Sequence, residues 1–265
     1  MHDLFSPQGL LSIQRLATRP SALIFDFDGT LAPIVPHRND AKIPAQTAAH
    51  LMVLSRSWPV AVVTGRSVED AQKRLGFTPD YLFGNHGSER AGHPALDTLD
   101  AGLNKCRTLL SEHALALTAR KVSVEDKGLS LALHYRQCDD PVGTSIWLEE
   151  LLQSIAKDTA VTGGHMVINV LPTRAADKGD ALLTILQESS AETALVVGDD
   201  ENDEAAFLKA PENALTVRIG LHGTCSHARF NLSGQHQISA LLSILVRQKN
   251  QFCYAFDKKK YAALL

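Results

Sequence analysis

The chain has 265 residues, a net charge of −3, and is 45% hydrophobic and 21% charged, an ordinary globular composition with length for one large or two modest domains. The only basic run is Lys258-Lys259-Lys260, read as a solvated tail, so nucleic acid is not expected as a partner, and no apolar stretch is long enough for a bilayer-spanning helix. The four cysteines, Cys106, Cys138, Cys225 and Cys253, form no C-x-x-C pair, which leads us to expect reduced thiols and a cytoplasmic protein. No feature calls for a partner chain, and a monomer is expected.

Residues 1–20 lack the continuous apolar stretch of a signal peptide; Leu10, Leu11, Ile13 and Leu16 instead predict one face of a short helix. Leu23-Ile24-Phe25 climbs into Asp26-Phe27-Asp28-Gly29-Thr30, a buried strand that stops in a turn. Residues 32–44 read as a loop, 45–57 as a helix, and Val60-Ala61-Val62-Val63 as a second strand ending in Thr64-Gly65-Arg66. Ser67 is a candidate N-cap with Glu69 and Asp70 in the first turn. A third strand, residues 81–83, runs into the polar segment 84–90.

The pattern then changes. One amphipathic helix is predicted over 97–117, a hairpin over 121–135 with Lys127-Gly128 at its turn, a helix over 144–156, and two strands around Gly163-Gly164. This α+β stretch interrupts a strand–helix alternation. It predicts an α/β core with a doubly wound parallel sheet over residues 1–92 and 171–265, and an inserted α/β cap over 93–170. Alternation resumes with a helix opened by Asp177-Lys178-Gly179 and a strand, Ala194-Leu195-Val196-Val197, that runs into Gly198-Asp199-Asp200-Glu201-Asn202-Asp203. A short helix over 205–208, a strand over 215–219 and a closing helix over 237–246 complete the chain.

In a parallel sheet the polar strand ends gather at one edge. That edge would hold Asp26, Asp28, Thr64, Lys178, Asp199 and Asp203. Asp26 and Asp28 alone fit a strand running into an Asp-Gly turn; as i and i+2 residues they also fit two like charges that need a cation. Oxygen-only ligands suit Mg2+, and no histidine pair stands at zinc spacing. Phosphate is the natural anionic guest, held by metal, lysine and hydroxyl.

The order Asp26-x-Asp28-Gly29-Thr30, Thr64, Lys178 and Gly198-Asp199-Asp200-x-x-Asp203 resembles the four motifs of the haloacid-dehalogenase-like phosphatases. The resemblance implies a nucleophilic Asp26 that forms an aspartyl phosphate. Asp28 is implied as general acid and base, a role worth about 10²–10⁴ in rate. Thr64 and Lys178 would bind the phosphoryl group. Mg2+ would be held by Asp26, the Asp28 carbonyl and Asp199, with Asp203 holding its waters and Asp200 either water-mediated or structural.

More narrowly, Thr64-Gly65-Arg66-Ser67, His86-Gly87-x-Glu89-Arg90 and Leu133-His134-Tyr135-Arg136 are similar to trehalose-6-phosphate phosphatases. That implies a small-molecule sugar phosphate as substrate, with Thr64, Gly65, Arg66, His86, Glu89, Lys127, Arg136 and Asn169 as candidate binding residues. Lys127 also reads as a solvated turn residue, and His134 as a half-buried strand histidine. One departure bears on specificity. Where the family shows Glu-x-(Lys/Arg)-Pro, this chain has Asn169-Val170-Leu171-Pro172, with Arg174 as a substitute cation. A phosphatase of another sugar phosphate, or a non-catalytic sugar-phosphate-binding module, are the competing readings.

Overall fold

The computed structural model describes residues 1–93, 100–164, 166–173, 175–220 and 225–249. Arg174, Cys253, the lysine run at 258–260 and the first residues of the helix expected from 97 lie outside these. In chain order the elements are β1 (His2–Asp3), α1 (Pro7–Ala17), β2 (Ser21–Phe25), α2 (Ala45–Leu54), β3 (Val60–Val63), α3 (Val68–Leu75), β4 (Tyr81–Gly84) and β5 (Glu89–Arg90). There follow α4 (Ala101–Glu112), α5 (Ala114–Ala119), β6 (Ser123–Asp126), β7 (Leu131–His134), α6 (Pro141–Leu152), β8 (Thr159–Gly164) and β9 (Val167–Pro172). The last are α7 (Lys178–Ser189), β10 (Thr193–Gly198), α8 (Glu204–Lys209), β11 (Leu215–Ile219), β12 (Phe230–Leu232) and a final helix, α9, described over residues 238–249.

The larger sheet has eight strands in the order β1-β12-β11-β10-β2-β3-β4-β5, parallel except at the β4–β5 edge. Strand alternation explains its two covered faces. Leu23, Phe25, Val60, Val62, Leu195 and Val197 face a core shared with α1, α2, α3 and α9. Ala22, Ile24, Ala61, Val63, Ala194 and Val196 face α7 and α8. The second face is lined by alanines where α7 crosses, so Ala181, Leu182 and Ile185 of α7 seat close to β2 and β3.

β6, β7, β9 and β8 form a separate antiparallel sheet of four strands in that order. Leu131, Leu133, Ile168 and Val170 pack one face against Leu103, Cys106, Leu148 and Leu152 of α4 and α6. The other face carries a cross-strand row fixed by register, Glu125–Ala132–Asn169–Thr162.

Two expectations are corrected. The helix read as continuous to 117 is two, broken at His113, whose φ of −101° and ψ of 13° leave the helical region. The edge strands β1 and β5 and the strand β12 beside β1 are not expected from sequence, because pieces of two and three residues are too short for any periodicity to register.

Phe25 is fully buried at the centre of the larger sheet. Phe25→Ala is expected to lose about 3–5 kcal/mol of stability through the cavity it leaves, read as a lowered denaturant midpoint.

Candidate active site

β2 and β10 are adjacent parallel strands whose chain connections depart in opposite directions, which makes the gap beyond their carboxyl ends the switch point of the sheet. Asp26 follows β2 directly, its N–H donating to Val197 O at 2.9 Å. Asp199 follows β10. The parallel register of β2 and β10 brings the two together, and Gly29, at φ +79°, leaves room for Asp199, since a Cβ there would stand 2.0 Å from its Oδ2. Thr30 Oγ1 then donates to Asp199 Oδ1 at 3.2 Å.

Lys178 opens α7, whose N-cap Asp177 and Asp180 form a reciprocal capping box. Its Nζ donates to Asp26 Oδ1 and to Asp203 Oδ1, both at 2.6 Å. All three side chains are at most 8% exposed. The other Asp203 oxygen accepts the N–H groups of Asp199 and Asp200 at 2.9 and 3.0 Å. Asp203 therefore shapes the 199–200 turn from behind, and Asp26, Asp199 and Asp200 face the cavity.

Carboxylate oxygens of Asp26, Asp199 and Asp203 lie within 4.8 Å of one another, a group that could hold a metal ion. The electrostatics fit one. Burial, reinforced by Asp203 and Asp28 against the pull of Lys178, raises Asp26 to about 7. Burial and the neighbouring carboxylates raise Asp199 well above the ordinary value. Burial works against the Lys178 ammonium too, but Asp203 and Asp26 outweigh it and hold its pKa above the usual lysine value. One lysine does not neutralise this cluster, and a hard cation on its oxygens would.

Asp28 stands apart from that group. Arg66 holds it with two bonds of 2.7 Å, from Nε and Nη2. The same guanidinium reaches Asp70 at 2.7 Å and the Arg38 carbonyl at 2.8 Å, and lies 5.1 Å over the Phe27 ring. Arg66 is thus committed to protein partners, an arrangement of fork-shaped recognition that lysine could not reproduce. Thr64 Oγ1 accepts the Arg66 N–H at 3.1 Å and holds the loop in shape.

The smaller sheet supplies the opposite wall. The cavity, about 340 Å³, is lined from that side by Ser123, Lys127, His134, Arg136, Val167 and Asn169. Lys127 Nζ crosses to donate to the Gly65 carbonyl at 2.5 Å. Burial, with Arg38 adding to it and Asp28 opposing, lowers its pKa to about 7. Lys127 is therefore not the solvated turn residue. Arg136 Nη1 donates to Val35 O at 2.6 Å. Arg38, on the loop after β2, pairs with Glu125 of the smaller sheet, and Glu125 also meets His134 Nε2 at 3.0 Å. His134 is half-buried, as expected.

His86 packs edge-on against Gly65, where a Cβ would stand 2.5 Å from Cε1. Both its ring nitrogens are buried, and among the described residues neither has a hydrogen-bond partner of ordinary geometry. Burial, then Lys127 and Lys178, lower its pKa to about 3, with the Asn169 amide opposing. Asn169 is 3% exposed and enters the cavity beside it.

Glu89 is not brought into the cavity. Its Oε2 accepts the Val68 N–H at 2.9 Å and Asn85 Nδ2 at 2.8 Å, so it secures the start of α3 and the turn after β4. Three residues were missed. Arg38 gave no signal, being one cation in a loop. Asn85 did: an asparagine between β4 and a Gly-containing turn suits the positive φ of 47° it adopts. Ser130, its partner, sits unremarked after a turn.

Comparison with known proteins adds a family to this geometry. The trehalose-phosphatase family model matches residues 24–245. The chain belongs to that family. It is accordingly a phosphatase, with a sugar phosphate as the class of molecule it handles. A probable trehalose-phosphate phosphatase of Sinorhizobium fredii is 29% identical over 238 residues, covering 84% of this chain and 87% of the relative. Trehalose-6-phosphate phosphatase of Escherichia coli is 27% identical, covering 87% and 88%. The C-terminal domain of the C. albicans trehalose-6-phosphate phosphatase shares the fold at a TM-score of 0.78 and 22% identity, over 92% of this chain and 97% of that one. Among the described residues no helix is long and apolar enough to cross a membrane.

The depressed His86 pKa has a consequence for stability. Between about 3 and 6.5 the unfolded chain binds a proton that the folded one does not, so this histidine makes stability fall as pH drops through that window. His86→Gln is expected to flatten the acid limb of a denaturant-midpoint profile by about 1.4 kcal/mol for each unit of pKa difference it removes; an unchanged limb would contradict the assignment.

Proposed function

We propose that the chain hydrolyses trehalose 6-phosphate to trehalose and inorganic phosphate through an aspartyl phosphate on Asp26. The observation that carries this reading is the Asp26 carboxylate held at 2.6 Å by Lys178 on the floor of a cavity whose opposite wall comes from the smaller sheet. We read residues 1–92 and 171–265 as the catalytic core and 93–170 as a cap that selects the alcohol.

An Asp26 oxygen attacks phosphorus while the bond from phosphorus to the sugar oxygen breaks, and Asp28 gives that oxygen its proton. Water then attacks the phosphorus of the acyl phosphate. Asp28 takes the water's proton, and the Asp26 carboxylate leaves. Arg66 binds both Asp28 oxygens, so Asp28 loosens that pairing to reach the leaving oxygen. Lys178 and the Thr64 hydroxyl hold phosphoryl oxygens. Asp203 keeps Lys178 and the 199–200 turn in place. Asp26, the Asp28 carbonyl and Asp199 are the residues suited to Mg2+, which supplies charge neutralisation at the phosphoryl group when bound.

Lys127, Arg136 and Asn169 on the cap side, with His86 facing them from the core, offer the hydrogen-bonding groups that a disaccharide's hydroxyls need. Asn169, a neutral amide in the place of a carboxylate, also favours a second reading: a phosphatase whose preferred sugar phosphate is another one.

Phosphate release from a panel of trehalose 6-phosphate, glucose 6-phosphate and sucrose 6-phosphate separates these readings; a higher kcat/KM on either of the last two would exclude the first. Asp26→Asn is expected to be inactive on all three. Dialysis against EDTA is expected to abolish turnover and added Mg2+ to restore it, and full activity in EDTA would exclude the metal.

A further inference from the structure

Asn85 and Ser130 are both 0% exposed, and neither lines the cavity. Ser130 Oγ donates to Asn85 Oδ1 at 2.7 Å. The other end of the amide donates to Glu89 Oε2. With a hydroxyl at one end and a carboxylate at the other, the amide has one satisfactory orientation. The Asn85 N–H donates to Arg66 O at 2.7 Å, which ties the residue to the loop carrying Thr64, Gly65 and Arg66. Across the junction, the Ser130 carbonyl accepts the Lys127 N–H at 2.9 Å and closes the hairpin turn. The Lys127 ammonium then crosses back to Gly65. The contacts form a closed circuit: Asn85 to Ser130, Ser130 to Lys127, Lys127 to Gly65, and Gly65 through Arg66 to Asn85. Lys127 opens a two-residue turn, and among the described residues the Gly65 carbonyl is the hydrogen-bond partner that anchors its long flexible side chain.

We propose that Asn85 and Ser130 are positioning residues, whose hydrogen bond across the junction sets the Lys127 ammonium at the cavity wall and so governs sugar-phosphate binding without touching it. This rests on the assignment of Lys127 to the sugar-phosphate site. A bond made between the two sheets forms when they are closed on each other, so its contribution is made to binding rather than to the phosphoryl chemistry on the floor. Small phosphate esters that do not reach the wall are indifferent to it.

The test is a double-mutant cycle with Ser130→Ala, Lys127→Ala and the pair, measured on whichever sugar phosphate the panel shows to be best, with p-nitrophenyl phosphate as the small ester. Ser130→Ala is expected to raise KM for the sugar phosphate ~3–10-fold with kcat within ~2-fold, the scale of one buried hydrogen bond. In the Lys127→Ala background it is expected to add less than ~2-fold, because the two changes act on one interaction. Asn85→Gly, which keeps the left-handed backbone and removes the amide, is expected to repeat the KM effect. Hydrolysis of p-nitrophenyl phosphate by Ser130→Ala is expected to match wild type. An unchanged KM, losses that multiply in the double variant, or an equal loss on the small ester would overturn the proposal. If trehalose 6-phosphate is not the best substrate, the substrate reading fails while the cycle is still decided on the one that is.

Discussion

Lys178 places one buried ammonium between two carboxylates, Asp26 and Asp203, at 2.6 Å from each. Charges this far from water are tolerated only when paired and hydrogen-bonded, and removing one partner of such a group costs about 3–5 kcal/mol. The rest of the larger sheet serves to make that pairing possible. Ala22, Ala61 and Ala194 let α7 lie close on the sheet, and the capping box at Asp177 and Asp180 fixes where α7 begins. Asp203 in turn uses its second oxygen to hold the backbone that carries Asp199. The proposed nucleophile, the proposed phosphate-binding cation and the acidic turn are thus positioned by one network.

The same network leaves a surplus of negative charge. Asp26 and Asp199 are both pushed upward in pKa by burial and by carboxylates nearby. A phosphate dianion would not approach such a floor without a cation there, whereas Lys127 and Arg136 stand on the opposite wall. Arg66 draws Asp28 away from this cluster by binding both of its oxygens while also pairing with Asp70.

Much of this was legible from sequence because parallel strands carry their own address. An apolar run ending in a carboxylate, as at Phe25-Asp26 or Val197-Gly198-Asp199, marks both a buried strand and the edge where its residues will collect. Lys178 was legible as a helix start. What could not be read was partnership. Glu89 reads as a sugar ligand from its motif, yet it accepts the Val68 N–H, 21 residues away, and the Asn85 amide beside it. Arg66 and Asp28 lie 38 residues apart, and Asn85 and Ser130 lie 45 apart; nothing local encodes either pair. Register had the same effect in the smaller sheet, where Glu125, Ala132, Asn169 and Thr162 form one row only after four strands have paired.

The central claim is that Asp26 takes the phosphoryl group and Asp28 activates the water that removes it. Mass spectrometry of the peptide bearing Asp26, after acid quench of Asp28→Asn turning over p-nitrophenyl phosphate with Mg2+, tests it directly. The p-nitrophenolate leaving group needs no proton, so the first step proceeds while the second is impaired. The account predicts that a phosphoryl group accumulates on Asp26. Accumulation on another residue, or no phosphorylated peptide despite a burst of p-nitrophenolate, would contradict it.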